Sequence, residues 1–80
     1  MNMKAVGFHV IVKKNTVETG DGLIVKETRY ELVDRGPDIS SELPDCKYVI
    51  IRHGAEGDPF LRGKDALYIV HIDNVLAVED

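Results

Sequence analysis

The sequence predicts an all-β domain, a small barrel or sandwich of five or six short strands. Three observations carry this. Apolar residues alternate instead of recurring at helical spacing. The apolar runs are dense in β-branched and aromatic residues, which suit a pleated surface. Breaker residues then punctuate the chain at short intervals, as between the strands of a small β fold. No stretch sustains a helical apolar stripe over three turns.

Taken in order, Phe8-His9-Val10-Ile11-Val12-Lys13 is the first strand, with Phe8, Val10 and Val12 on one face. Glu18-Thr19-Gly20-Asp21-Gly22 is polar, glycine-rich and breaks the pattern. Arg29-Tyr30-Glu31-Leu32-Val33-Asp34 alternates again, pairing Tyr30 with Leu32 on one side. Gly36-Pro37-Asp38 is a turn, and an irregular connection holding Pro44 follows it from Ile39 to Asp45. Tyr48-Val49-Ile50-Ile51-Arg52 is apolar on both faces and is expected to be the most central strand. Turns at Gly54–Pro59 and Gly63-Lys64-Asp65 precede Leu67-Tyr68-Ile69-Val70-His71-Ile72. Asp73-Asn74 leaves room for a single helical turn before the last strand, Val75-Leu76-Ala77-Val78.

Eighty residues form one domain, 1–80, with no internal repeat or linker. A chain of this size buries only roughly 60–65% of its unfolded surface. The single cysteine, Cys46, rules out an internal disulfide and reads as a small buried apolar residue. His9, His53 and His71 are scattered and match no zinc spacing, so no metal or other cofactor is expected. Oligomerisation is the remaining source of stability. A net charge of −4, with no basic cluster longer than Lys13-Lys14, argues against a nucleic-acid partner. No apolar run approaches a membrane span, and Met1-Asn2-Met3-Lys4 lacks a signal-peptide core. The expectation is a cytoplasmic protein without a membrane partner. No catalytic spacing of Ser, His, Asp or Cys is present, nor a phosphate-binding loop leading into a helix, so no enzyme is expected.

With these pieces in place, the chain resembles the GroES-type co-chaperonin family (the 10 kDa chaperonin) nearly end to end. Met1-Asn2-Met3-Lys4-Ala5-Val6 and His9-Val10-Ile11-Val12-Lys13-Lys14 resemble that family's lead-in and first strand. Gly20-Asp21-Gly22-Leu23-Ile24-Val25 is similar to its mobile loop, where a glycine-rich stretch presents an aliphatic triplet. Thr28-Arg29-Tyr30-Glu31-Leu32-Val33 sits where the next strand begins, and Leu67 to Glu79 resembles the terminal signature most closely. The resemblance implies a partly open β-barrel of the GroES-like type with a flexible glycine-rich loop. It further implies a homoheptameric ring that caps a GroEL-type chaperonin in its nucleotide-bound state and helps enclose folding clients.

The chain also departs from that pattern. The segment Gly36 to Leu43 is too short for the family's roof hairpin, so a reduced roof is expected. Tyr30 replaces a common glycine, and Leu43-Pro44-Asp45-Cys46 replaces a Val-Gly-Asp turn. Divergence within a preserved frame would suit a virus-encoded version working in the host cytoplasm.

By the resemblance, Leu23, Ile24 and Val25 anchor the chaperonin, while Gly20 and Gly22 keep their loop mobile. Leu76 and Val78 of the last strand would lie beside Val6 and Val10 of the next subunit. The residues alone leave two alternatives open. The triplet could be a buried strand edge, and both terminal strands could pair within one barrel. The competing function is a small β-barrel adaptor or structural subunit of another assembly, without chaperonin contact.

Overall fold

Residues 9–19 are rich in β-branched side chains and free of Gly and Pro, and they form the first strand, β1 (His9–Thr19). The computed structural model describes residues 3–19, 25–39 and 43–79. β1 pairs antiparallel with β2 (Val25–Arg35), from Val10↔Arg35 out to Thr19↔Val25. Strand pairing thus continues through Glu18 and Thr19, which the sequence assigns to a breaker; β-branched Thr19 suits a strand, and cross-strand hydrogen bonds override the weak β-propensity of Glu18. The remaining elements are β3 (Tyr48–Ile51), β4 (Phe60–Arg62), β5 (Asp65–His71), a 3₁₀ turn η1 (Ile72–Asn74) and β6 (Val75–Glu79). They form one six-stranded sheet in the order β4-β5-β1-β2-β3-β6, with neighbouring strands antiparallel.

The order and the connections together impose curvature. Four strand spacings separate β5 from β6, about 19 Å in a flat sheet. Only η1 joins them, and the four Cα steps from His71 to Val75 reach at most ~14 Å. The sheet therefore curls until its two sides approach, leaving β4 and β6 as unjoined edges. The η1 turn straddles the gap: Ile72 N–H donates to the Phe8 carbonyl, and Arg52 N–H donates to the Asn74 carbonyl, each at 2.8 Å. The result is an open, curled β fold, the coarse architecture the alternation predicts.

The concave face holds the main core. Val10, Val12, Val49, Tyr68, Val70 and Leu43 are buried there, and Tyr30 and Leu32 pack against them, as their alternation implies. Tyr30 and Tyr68 meet edge to face at 5.9 Å. On the convex face Ile11 and Leu67 pack with Ala5 and Met3 of the lead-in, which is pinned where Ala5 N–H donates to Asp34 Oδ2 at 2.8 Å.

β1 is therefore covered on both faces, and Val10, Ile11 and Val12 are fully buried. This corrects the expectation for β3. That strand is fifth of six, with Ile50 exposed; its two-sided apolar pattern reflects a half-open position, not the centre. Phe8 is also displaced from its expected place on the Val10–Val12 face. It precedes β1, after Gly7 turns the chain at φ +59°, and it is exposed.

β4, too short to show periodicity, joins β5 through Gly63-Lys64, with Arg62 opposite Asp65. Gly63 has φ +61°, the left-handed geometry that a two-residue hairpin needs at its first central position. The Gly36-Pro37-Asp38 turn forms as expected. Beyond it, Arg35 donates to the carbonyls of Leu43 (2.6 Å) and Pro44 (3.0 Å), holding that connection over the core.

Candidate functional site

Two features of the curled sheet stand at its margin, outside the main core. The first is the outer part of the β1–β2 hairpin. β5 pairs with β1 only as far as Lys13, and β3 pairs with β2 only as far as Tyr30. From Lys14 and Arg29 outward the two strands pair only with each other, ending at Thr19↔Val25. They make a two-stranded ribbon standing out from the sheet. The radius of gyration, 13.2 Å, exceeds the ~11.6 Å of a compact chain this long, and the extents are 44 × 28 × 21 Å. Five residues, 20–24, join the ribbon's strand ends. Leu23 and Ile24 of the expected anchor, with Gly20 and Gly22, lie outside the described residues. Val25 is the first residue of β2, its backbone opposite Thr19.

The second feature is the β6 edge. β6 pairs with β3 on one side, and no described strand lies on the other. Between Ile50 and Ile51 the register slips, so Leu76 is the extra residue of a bulge, 56% exposed. Bulges of this kind re-aim a side chain at a sheet edge. Beside the edge runs a groove of about 600 Å³, lined chiefly by Phe8, Ile39, Leu43, Ile72, Leu76 and Val78.

The four residues expected at a subunit contact occupy different environments. Val6 is 70% exposed in the lead-in, and Leu76 is exposed at the bulge. Val78 is half-buried against the core. Val10 is wholly inside its own subunit, paired with Val70 on one side and Arg35 on the other. Its side chain packs the core.

Electrostatically the site is plain. Lys13 and Asp65 form a surface pair at 3.4 Å, worth no more than about 1 kcal/mol. Burial, chiefly, pushes the Tyr30 hydroxyl above its ordinary pKa of 10.0, with help from Glu56 and Tyr68. Cys46 is half-buried and packs against the core, close to the small apolar role expected of it. His53 is exposed beside the turn at Gly54.

One juxtaposition escapes sequence reading altogether. His9 and His71, far apart along the chain, stand opposite each other on β1 and β5. Only the strand pairing could have revealed them, because nothing in their local sequence relates one to the other. Among the described residues no group of three or more His, Cys, Asp or Glu side chains converges on a metal position. Nor is any helix there long and apolar enough to cross a membrane.

Comparisons of the chain with protein-family models, with curated proteins and with solved structures find no match.

Proposed function

We propose that this chain is a GroES-type co-chaperonin subunit, a ring-forming lid that docks on a nucleotide-bound chaperonin and contributes no catalysis. The observation that carries the reading is the ribbon. The long β1–β2 hairpin runs beyond the sheet's third-strand contacts, and Val25 opens β2 at its outer end, opposite Thr19, so a partner engaging that end need not disturb the core.

The energetics suit a reversible lid. Burying three aliphatic side chains in an apolar groove contributes roughly 5–9 kcal/mol. Ordering the loop that carries them costs ~1–2 kcal/mol per residue, so one copy binds weakly. Several copies on one ring act at high effective concentration and hold together firmly while each contact stays releasable. The β6 edge supports the ring itself. An open edge with an exposed aliphatic bulge residue is an invitation to pair, and a closed ring removes it. Val6, exposed on the lead-in, and Leu76 at the bulge are the side chains available for that contact. The short 36–43 connection leaves the dome with a reduced roof.

The test replaces Leu23, Ile24 and Val25 together with serine and measures both folding and chaperonin binding. The reading expects an unchanged far-UV spectrum and lost binding to a GroEL-type chaperonin with nucleotide. Retained binding contradicts the anchor, and loss of folding assigns the triplet to the core instead.

A further inference from the structure

β1 and β5 run antiparallel with His9 directly opposite His71, and their imidazole centroids lie 5.3 Å apart with planes near perpendicular, at 84°. Both residues are half-exposed, so water and ions reach the pair. The Phe8 ring flanks His71 at 6.4 Å.

The polar partners of each ring hold it in place. His9 Nδ1 lies 3.1 Å from the Val6 carbonyl oxygen. A carbonyl can only accept, so the proton sits on Nδ1 and the Nε2 lone pair is left for another ligand. His71 Nδ1 lies 3.1 Å from the Asp73 backbone nitrogen and 3.6 Å from Asp73 Oδ2. In one tautomer Nδ1 accepts the Asp73 N–H and caps η1. In the other, Nδ1–H faces the Asp73 carboxylate and Nε2 becomes the free donor atom. Histidines that bind metals commonly donate their second N–H to a backbone carbonyl or a carboxylate, which fixes the ring and raises its basicity. Here His9 has the Val6 carbonyl behind its Nδ1; His71 Nδ1 accepts the Asp73 N–H, and metal binding at Nε2 would exchange that bond for Nδ1–H facing the Asp73 carboxylate, 3.6 Å away.

We propose that His9 and His71 form a cross-strand chelate for a divalent first-row transition metal such as Zn²⁺ or Cu²⁺. Val6 and Asp73 are its positioning groups, and water completes the coordination. Two imidazoles make an open, two-ligand site, in keeping with the absence of any convergent trio among the described residues. Imidazole nitrogen selects Cu²⁺ and Zn²⁺ over the hard, oxygen-seeking Mg²⁺ and Ca²⁺. A bound ion would clip β5 to β1 at the end of the barrel where the lead-in, η1 and the groove meet. The inference stands apart from chaperonin docking and survives its failure.

The experiment is titration of the full chain with Zn²⁺, Cu²⁺ and Mg²⁺ by calorimetry, with the imidazole ring resonances followed by NMR. The expected result is one saturable site per chain, Cu²⁺ tighter than Zn²⁺, no Mg²⁺ binding, and shifts confined to His9 and His71. H9Q and H71Q should each weaken Zn²⁺ at least about tenfold, and D73N by about 10–100-fold. H53Q and C46S should leave it unchanged. H9Q lies outside the η1 cap, so it tests the site even where H71Q disturbs the fold. Absence of saturation, undiminished binding by H9Q, or loss of binding in C46S or H53Q would overturn the assignment.

Discussion

At the scale of single residues, the most constrained position is Gly36. It is buried where the chain leaves β2, its N–H bonded to the His9 carbonyl at 2.8 Å. A Cβ there would lie 2.2 Å from the Gly7 carbonyl oxygen and 3.0 Å from that of His9, both backbone atoms. Gly7 itself holds φ +59° and accepts from Asp38 N–H, so neither strand of this close approach can move alone. Gly36→Ala should therefore cost roughly 1–3 kcal/mol or more, read as a lowered urea midpoint with unchanged slope. Tyr30 gives a second residue-scale outcome. Burial raises its folded-state pKa above 10.0, so the folded chain keeps the phenolic proton longer than the unfolded one. Stability should hold through neutral pH and decline as pH rises past about 10, the ordinary tyrosine pKa. Denaturant midpoints measured from pH 8 to 11 check this, and Tyr30→Phe should flatten the alkaline decline. Leu43, reached by no periodic pattern, is buried in the core, and Leu43→Ala should lower stability by about 2–4 kcal/mol.

At the scale of elements, the alternating runs were legible because a strand with one buried face writes its own period. Tyr30 and Leu32 lie on the core side as their spacing requires, and Asp73-Asn74 forms its single turn. What the sequence hides follows from pairing. β1 carries no stronger signal than β3, yet the lead-in folds back over its second face and makes it the buried strand. β4 is three residues between turns and becomes a strand only because β5 offers it an edge. The two bulges, with Val33 and Leu76 as extra residues, shift register in ways no single-strand pattern records. The expected contact residues Val6 and Leu76 are accessible, while Val10 is not, because alternation distinguishes faces but not which face is interior. The β6 edge yields its own prediction. Leu76 is exposed, so Leu76→Asp should leave the isolated subunit's folding within about 0.5 kcal/mol. The same change should dissociate a ring closed through that edge, seen as a shift to monomer in analytical ultracentrifugation.

At the scale of the whole molecule, the chain is an open sheet curled by a short connection, with a ribbon leading from one side and an edge strand on another. Neither feature contributes much to a lone subunit. The outer ribbon has no third strand, and the β6 edge leaves backbone groups and Leu76 facing solvent. In the proposed assembly the ribbon would dock the partner and the β6 edge would close the ring. Native mass spectrometry of the chain alone, and then with a GroEL-type chaperonin and nucleotide, is the decisive test of the proposed ring-forming lid. The expected result is a ring of about seven subunits that adds to the chaperonin only when nucleotide is present. A monomer or dimer that ignores the chaperonin would contradict it.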